Sequence, residues 1–166
     1  MIKSTFVAMA LFAATFVQAQ NIVGVAAANE NFTTLVAAVK AADLVETLSS
    51  EGPFTVFAPV NDAFAALPDG TVEGLLKPES KNALTGLLTY HVVSGKFEAA
   101  AVIDAIKANN GAFEVSTVQG GKIILSLDSG NVKLTDEKGR MATVVIADVA
   151  ATNGVIHAVD TVVMPK

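Results

Sequence analysis

The chain predicts an α+β fold, with helices gathered in its first half and an antiparallel meander of strands in its second. Three observations carry this. Up to about residue 110 apolar residues recur three and four apart, beyond it they alternate with polar ones, and clusters of Gly, Pro, Asn and Asp punctuate both halves. With 166 residues, 52% of them hydrophobic, the chain suffices for one well-filled core and is short for two.

The first stretch stands apart from that fold. Lys3 precedes an apolar run from Phe6 to Val17, and Val17-Gln18-Ala19 sets small residues at the third and first positions before a cut after Ala19. This is the form of a secretory signal peptide, shorter than the roughly 20 residues that span a bilayer and apolar all round rather than on one face. Residues 1–19 are expected to be cleaved, leaving 20–166 as a single domain that is exported, periplasmic or extracellular, with no membrane insertion after cleavage.

Asn31, a good cap residue, precedes Phe32, Leu35, Val36 and Val39 at the spacing of one helical face, and Leu44, Val45 and Leu48 form a shorter set. Gly52-Pro53 stops these helices, and Phe54 to Ala58 is a β-favouring run closed by Pro59. Asn61-Asp62 then caps a short helix with Phe64 and Leu67, and Thr71 opens another around Val72, Leu75 and Leu76. After Pro78, Leu84, Leu87, Leu88 and His91 share one face, and Ala99 to Lys107 predicts a last helix.

Beyond Asn109-Asn110-Gly111 the period becomes two. Phe113 and Val115, then Ile123, Leu125 and Leu127, flank a Gly120-Gly121 turn. Turns at Asp128 to Asn131 and Asp136 to Gly139 lead into Val132 and Leu134 and then Thr143 to Ile146, and a strand from Val155 to Met164 closes the meander. Helices gathered beside such a meander give the α+β class.

Composition excludes several functions. Net charge is −5, and cleavage removes Lys3 and no acid, so the domain becomes one unit more negative. Such a surface repels phosphate backbones and anionic membranes, so neither nucleic acid nor membrane is expected as a partner. The absence of Cys removes disulfides, thiolate metal sites and cysteine nucleophiles. No Gly-rich phosphate loop, Gly-x-Ser-x-Gly elbow or calcium-loop spacing occurs, and neither His91 nor His157 has a second His or a Cys at metal-ligand spacing. No cofactor, metal or enzymatic activity is expected. Carboxylates such as Asp136-Glu137 read as solvated charges in turns.

Two constellations remain. Gly52 to Phe64 compresses a turn, a strand and a capped helix, with Thr55, Asn61 and Asp62 as its polar members. Asn153 to Asp160 joins a tight turn to a strand carrying His157 and Asp160. Both read first as structural: Asn61 or Asp62 satisfies free backbone N–H groups, and Gly154 takes a positive φ.

At these residues the chain resembles the fasciclin (FAS1) family. Gly52 to Leu67 is similar to its first signature, Tyr90-His91 to its central Tyr-His motif, and Asn153 to Asp160 with Thr161 to Pro165 to its second. Val60 departs from the Thr usual before Asn-Asp. The resemblance, which extends over the chain after the leader, implies a β-wedge of two small sheets with a cluster of helices packed against it, in a secreted or surface module of adhesion. It also implies binding residues: Tyr90 and His91, flanked by Leu88, Val92 and Val93, and the pair Asp148-Val149, with Val in place of Ile. Against this, His91 shares the apolar face of Leu84, Leu87 and Leu88, where a lone His is more often a hydrogen-bonded core residue.

The expected function is thus an exported adhesion module that contacts an envelope or extracellular protein or polysaccharide as a monomer of modest affinity. The alternative is a carrier or sensor of a small ligand, held between helices and wedge where the many Ala and Val side chains leave room.

Overall fold

The computed structural model describes residues 20–165; the expected leader and its cut lie outside the described residues. Helices α1 (Ile22–Ala27), α2 (Thr33–Ala41) and α3 (Val45–Ser49) precede strand β1 (Phe54–Pro59). Helices α4 (Asn61–Ala65), α5 (Thr71–Leu75) and α6 (Lys81–Tyr90) follow, then β2 (Val92–Ser94) and α7 (Ala99–Ala108). Strands β3 (Ala112–Ser116), β4 (Lys122–Asp128), β5 (Asn131–Thr135), β6 (Met141–Ala151) and β7 (Gly154–Val159) complete the fold.

The strands form one sheet in the order β2-β1-β7-β6-β5-β4-β3, antiparallel except for the β1–β7 pair. β6 belongs to both halves. Its start pairs with β5 from Met141 to Thr143, its remainder pairs with β7 from Val144 to Ala151, and the register shifts on either side of Ile146. Such bulges bend a strand and sharpen its twist. The two free edges approach each other through a bridge between Val93 and Thr117 and a 2.8 Å bond from the Val118 N–H to the Val92 carbonyl. The two small sheets of the wedge are therefore halves of one ladder, bent at β6 into a near-barrel.

The β1–β7 pair divides the interior. Parallel strands covered on both faces read as nearly continuous apolar runs, as Phe54–Pro59 and Gly154–Val159 do with Thr55 and His157 as their polar interruptions. Alternation sends Val56, Ala58, Ile156 and Ala158 into a core with Phe32, Leu35, Val39, Leu84 and Leu88 of the helical layer. Phe57 and Val159 point the other way, into a core of Val102 and Ile106 from α7 and Ile123, Leu125 and Leu134 from the meander.

Three expectations are corrected. Asn31 lies inside a short 3₁₀ turn, Glu30–Phe32, and it is the Asn29 side chain that accepts from the Asn31 N–H at 3.0 Å. β6 is longer than Thr143 to Ile146 because the bulges let one strand serve two neighbours. β7 stops at Val159 rather than Met164; beyond it Val162 and Val163 still enter the two cores, but the N–H groups of Val163 and Met164 go to the side chains of His91 and Asp136 instead of to a neighbouring strand.

Candidate functional site

Tyr90 ends α6 and His91 is its C-cap, so the Tyr-His pair sits between the two cores. Both side chains are buried, at 0% and 2% exposure. The Tyr90 hydroxyl donates to the Lys122 carbonyl at 2.6 Å and accepts from the Glu137 N–H at 3.3 Å. Burial pushes this phenol up to about 12, with the Glu137 and Asp136 carboxylates adding to the rise and the bond from the Glu137 N–H opposing it. The ring covers Gly121, where a Cβ would stand 2.7 Å from Cε2, so the β3–β4 turn requires glycine for close approach.

His91 works between α6 and the chain's end. Its Nδ1–H donates to the Leu87 carbonyl at 2.8 Å, and its Nε2 accepts from the Val163 N–H at 3.3 Å. Burial holds the imidazole down at about 4, against the opposing pulls of the Leu87 carbonyl and Asp136. It is therefore neutral at pH 7.

The second histidine anchors the entry to α7. Thr55 on β1 and His157 on β7 lie on the wedge side of the parallel pair. The Thr55 hydroxyl donates to the Gly95 carbonyl at 2.7 Å and accepts from the Phe97 N–H at 2.9 Å. His157 donates through Nε2 to the Phe97 carbonyl at 2.6 Å, and its Nδ1 accepts from the Asp148 N–H at 3.2 Å. Asp148, at φ 57°, turns its carboxylate onto the Ala99 N–H at 2.7 Å, the first free donor of α7. Two strands, the β6 bulge and a helix start are thereby tied through one loop. Asp148 stays exposed and Val149 half-buried.

The remaining signature residues join distant segments. Asn61 does not cap its own helix: its Oδ1 accepts from the Thr34 N–H at 3.0 Å and the Thr33 hydroxyl at 3.1 Å, and its Nδ2 donates to the Glu30 carbonyl at 2.8 Å. It supplies the cap that α2 lacks locally. Asp62 lies exposed in the first turn of α4. Asn153 donates to the carbonyls of Leu48 and Ser50 at 2.6 and 2.9 Å and accepts from the Ile22 N–H at 2.9 Å, joining the end of α3 to the start of α1. Asp160 accepts from the Thr143 N–H at 2.8 Å.

Gly154 corrects the sequence reading. Its φ is not positive; it is glycine because a Cβ would collide with the Phe54 carbonyl oxygen across the β1–β7 pair. Asp136 is a second correction, since it is buried rather than solvated. Its Oδ1 accepts from the N–H groups of Lys138 and Arg140 at 2.9 and 2.8 Å, and its Oδ2 from that of Met164 at 3.0 Å. The signal was present in Asp136-Glu137-Lys138-Gly139, an Asx-turn pattern whose aspartate bonds two residues on.

Between the helices and β1–β7 lies a void of about 20 Å³ lined by aliphatic side chains such as Val23, Val36 and Leu88, enough for a single water. Among the described residues, no three His, Asp or Glu side chains are grouped to hold a metal, and no helix is long and apolar enough to cross a membrane.

The model of the fasciclin domain matches residues 30–165. Protein sll1483 of a Synechocystis species is 56% identical over 147 residues, 89% of this chain and 74% of its own length. The immunogenic protein MPB70 of Mycobacterium bovis is 38% identical over 152 residues, 88% of this chain and 70% of its own. The solved FAS1 domain pair from the insect cell adhesion molecule fasciclin I superposes with a TM-score of 0.61 at 22% identity; the match covers 76% of this chain and 42% of that one, and shows the shared fold.

Proposed function

The chain belongs to the fasciclin domain family, and from that premise we propose that it is an exported, non-catalytic adhesion module that contacts an envelope or extracellular protein or polysaccharide. The observation that carries this reading is the commitment of the motif side chains to the fold. The polar atoms of Tyr90, His91 and His157 are engaged by backbone groups, and the Asp148 carboxylate caps α7. Acid–base work is left to none of them, and recognition falls to the exposed surface. Kinship in fold with a domain pair from a cell adhesion molecule supports the same reading.

Of the contact residues implied by the resemblance, Asp148 and Val149 are those a partner reaches without unfolding the domain, while Tyr90 and His91 act from within by holding α6 against the wedge. A small-ligand carrier finds little support in a void of one water's volume. Export rests on the leader and its cut after Ala19.

Beads coated with the chain from Gln20 onward test the reading on envelope and matrix surfaces of the source organism. Retention above beads carrying the unfolded chain is expected. Equal retention of folded and unfolded chains would sink the proposal.

A further inference from the structure

Beside Gly52-Pro53, between the α3–β1 loop and the β6–β7 turn, lies an open cleft of about 470 Å³. Its lining includes Ser49, Glu51, Pro53, Lys96, Thr152 and Asn153. The side chains of Ser49, Glu51 and Thr152 have no hydrogen-bond partner among the described residues, in contrast to the motif residues around them. Among the described residues Lys96 pairs only with exposed Glu98, at 3.2 Å, which leaves ammonium donors for a ligand. This lining is held in place by the three Asn153 side-chain bonds and by the Phe54 N–H on the Asn153 carbonyl at 3.0 Å. Unengaged polar side chains lining a cleft whose backbone is held in place are the features of a preformed site.

We propose that this cleft is a subsite for a neutral, hydroxyl-rich glycan, an assignment that rests on the adhesion reading and names its ligand. Glu51 accepts from sugar hydroxyls, Lys96 donates to them, and Ser49 and Thr152 do both, which suits vicinal hydroxyls that are themselves donors and acceptors. A protein partner fits less well. Only Pro53 and Ala151 bring apolar side chains to the cleft, whereas the exposed large hydrophobics Val118, Ile124, Met141, Val145 and Ile146 lie elsewhere, and protein interfaces need buried apolar or aromatic anchors. An anionic polymer is disfavoured by Glu51 and by the net charge of −5.

The test titrates the ¹⁵N-labelled chain from Gln20 with cellohexaose, maltohexaose and laminarihexaose, and separately with polygalacturonate. Amide shifts at residues 49–54, 96 and 151–154 are expected with at least one neutral hexasaccharide. Glu51→Gln combined with Thr152→Val weakens that binding about tenfold, the loss of one or two hydrogen bonds, and Val145→Ser leaves it unchanged. Absence of shifts with all three sugars, a shift map on another face, stronger binding of polygalacturonate, or wild-type affinity in the double variant would each overturn the assignment. The bead assay separates the two claims. Adhesion retained by the double variant removes the glycan cleft alone, and failure of the wild-type beads removes the adhesion reading beneath it.

Discussion

Acid should weaken this fold through one side chain, His91. In the native state its imidazole is sealed in the core and takes a proton only near pH 4, whereas in the unfolded chain it does so at the ordinary 6.5. The sign follows from linkage: below 6.5 the unfolded state binds the proton first, so stability is full above 6.5 and falls as pH drops toward 4. Below 4 both states are protonated and this contribution is flat. The gap between 6.5 and about 4, at about 1.4 kcal/mol per pH unit, sets a limit near 3 kcal/mol, of which about 2 kcal/mol is lost by pH 5. Carboxylates titrate in the same window, so the assay is a difference. Urea unfolding is followed from about pH 7.5 to about pH 4 for the wild type and for His91→Gln, whose amide can still donate to Leu87 and accept from Val163 but does not titrate. The wild type should lose about 3 kcal/mol more than the variant across that range. Parallel curves, or a His91 ring resonance that titrates near 6.5 in the folded protein, would show that the imidazole is not sealed in the core.

Three further outcomes follow from the same geometry. The chain has a single tyrosine, so its phenolate absorbance reports Tyr90 alone; the native protein should show a midpoint near 12 and the urea-unfolded chain one near 10. Asn153→Ala removes three hydrogen bonds that join α1, α3 and the β6–β7 turn and should cost about 2–3 kcal/mol in chemical denaturation, whereas exposed Asp62→Asn should stay within about 0.5 kcal/mol of wild type. Gly154→Ala forces a methyl into the Phe54 carbonyl and should cost more than about 3 kcal/mol, seen as loss of soluble protein or a steep fall in Tm; a variant as stable as wild type would show that the β1–β7 pair is looser than drawn.

Local patterns were legible in the sequence, and long-range ones much less so. The start of α5 at Thr71, the span of α7 and the alternation in β3, β4 and β5 follow from spacing and turn residues within a few positions of each element. The wedge was legible only through the family resemblance, since nothing local tells β6 to pair with two neighbours. Asn61 reads as a cap for the helix it begins, yet it caps α2, whose first turn precedes it by 27 residues. Gly154 reads as a turn glycine, but a strand remote in sequence sets its requirement. Asp136 is charged and lies in a turn, and only the return of the chain's end over that turn buries it. The periodicity around His91 did expose its setting, because the apolar face it shares is local to α6.

In the proposed reading the motif side chains build the fold and the exposed surface does the binding. Bead adhesion of Tyr90→Phe, measured beside its unfolding free energy, addresses both halves. The variant loses the hydroxyl bonds to Lys122 and Glu137, so stability should fall by about 1 kcal/mol while adhesion per folded molecule matches wild type. A Tyr90→Phe protein that is fully folded and no longer adheres would contradict the account and place the buried motif in the contact itself.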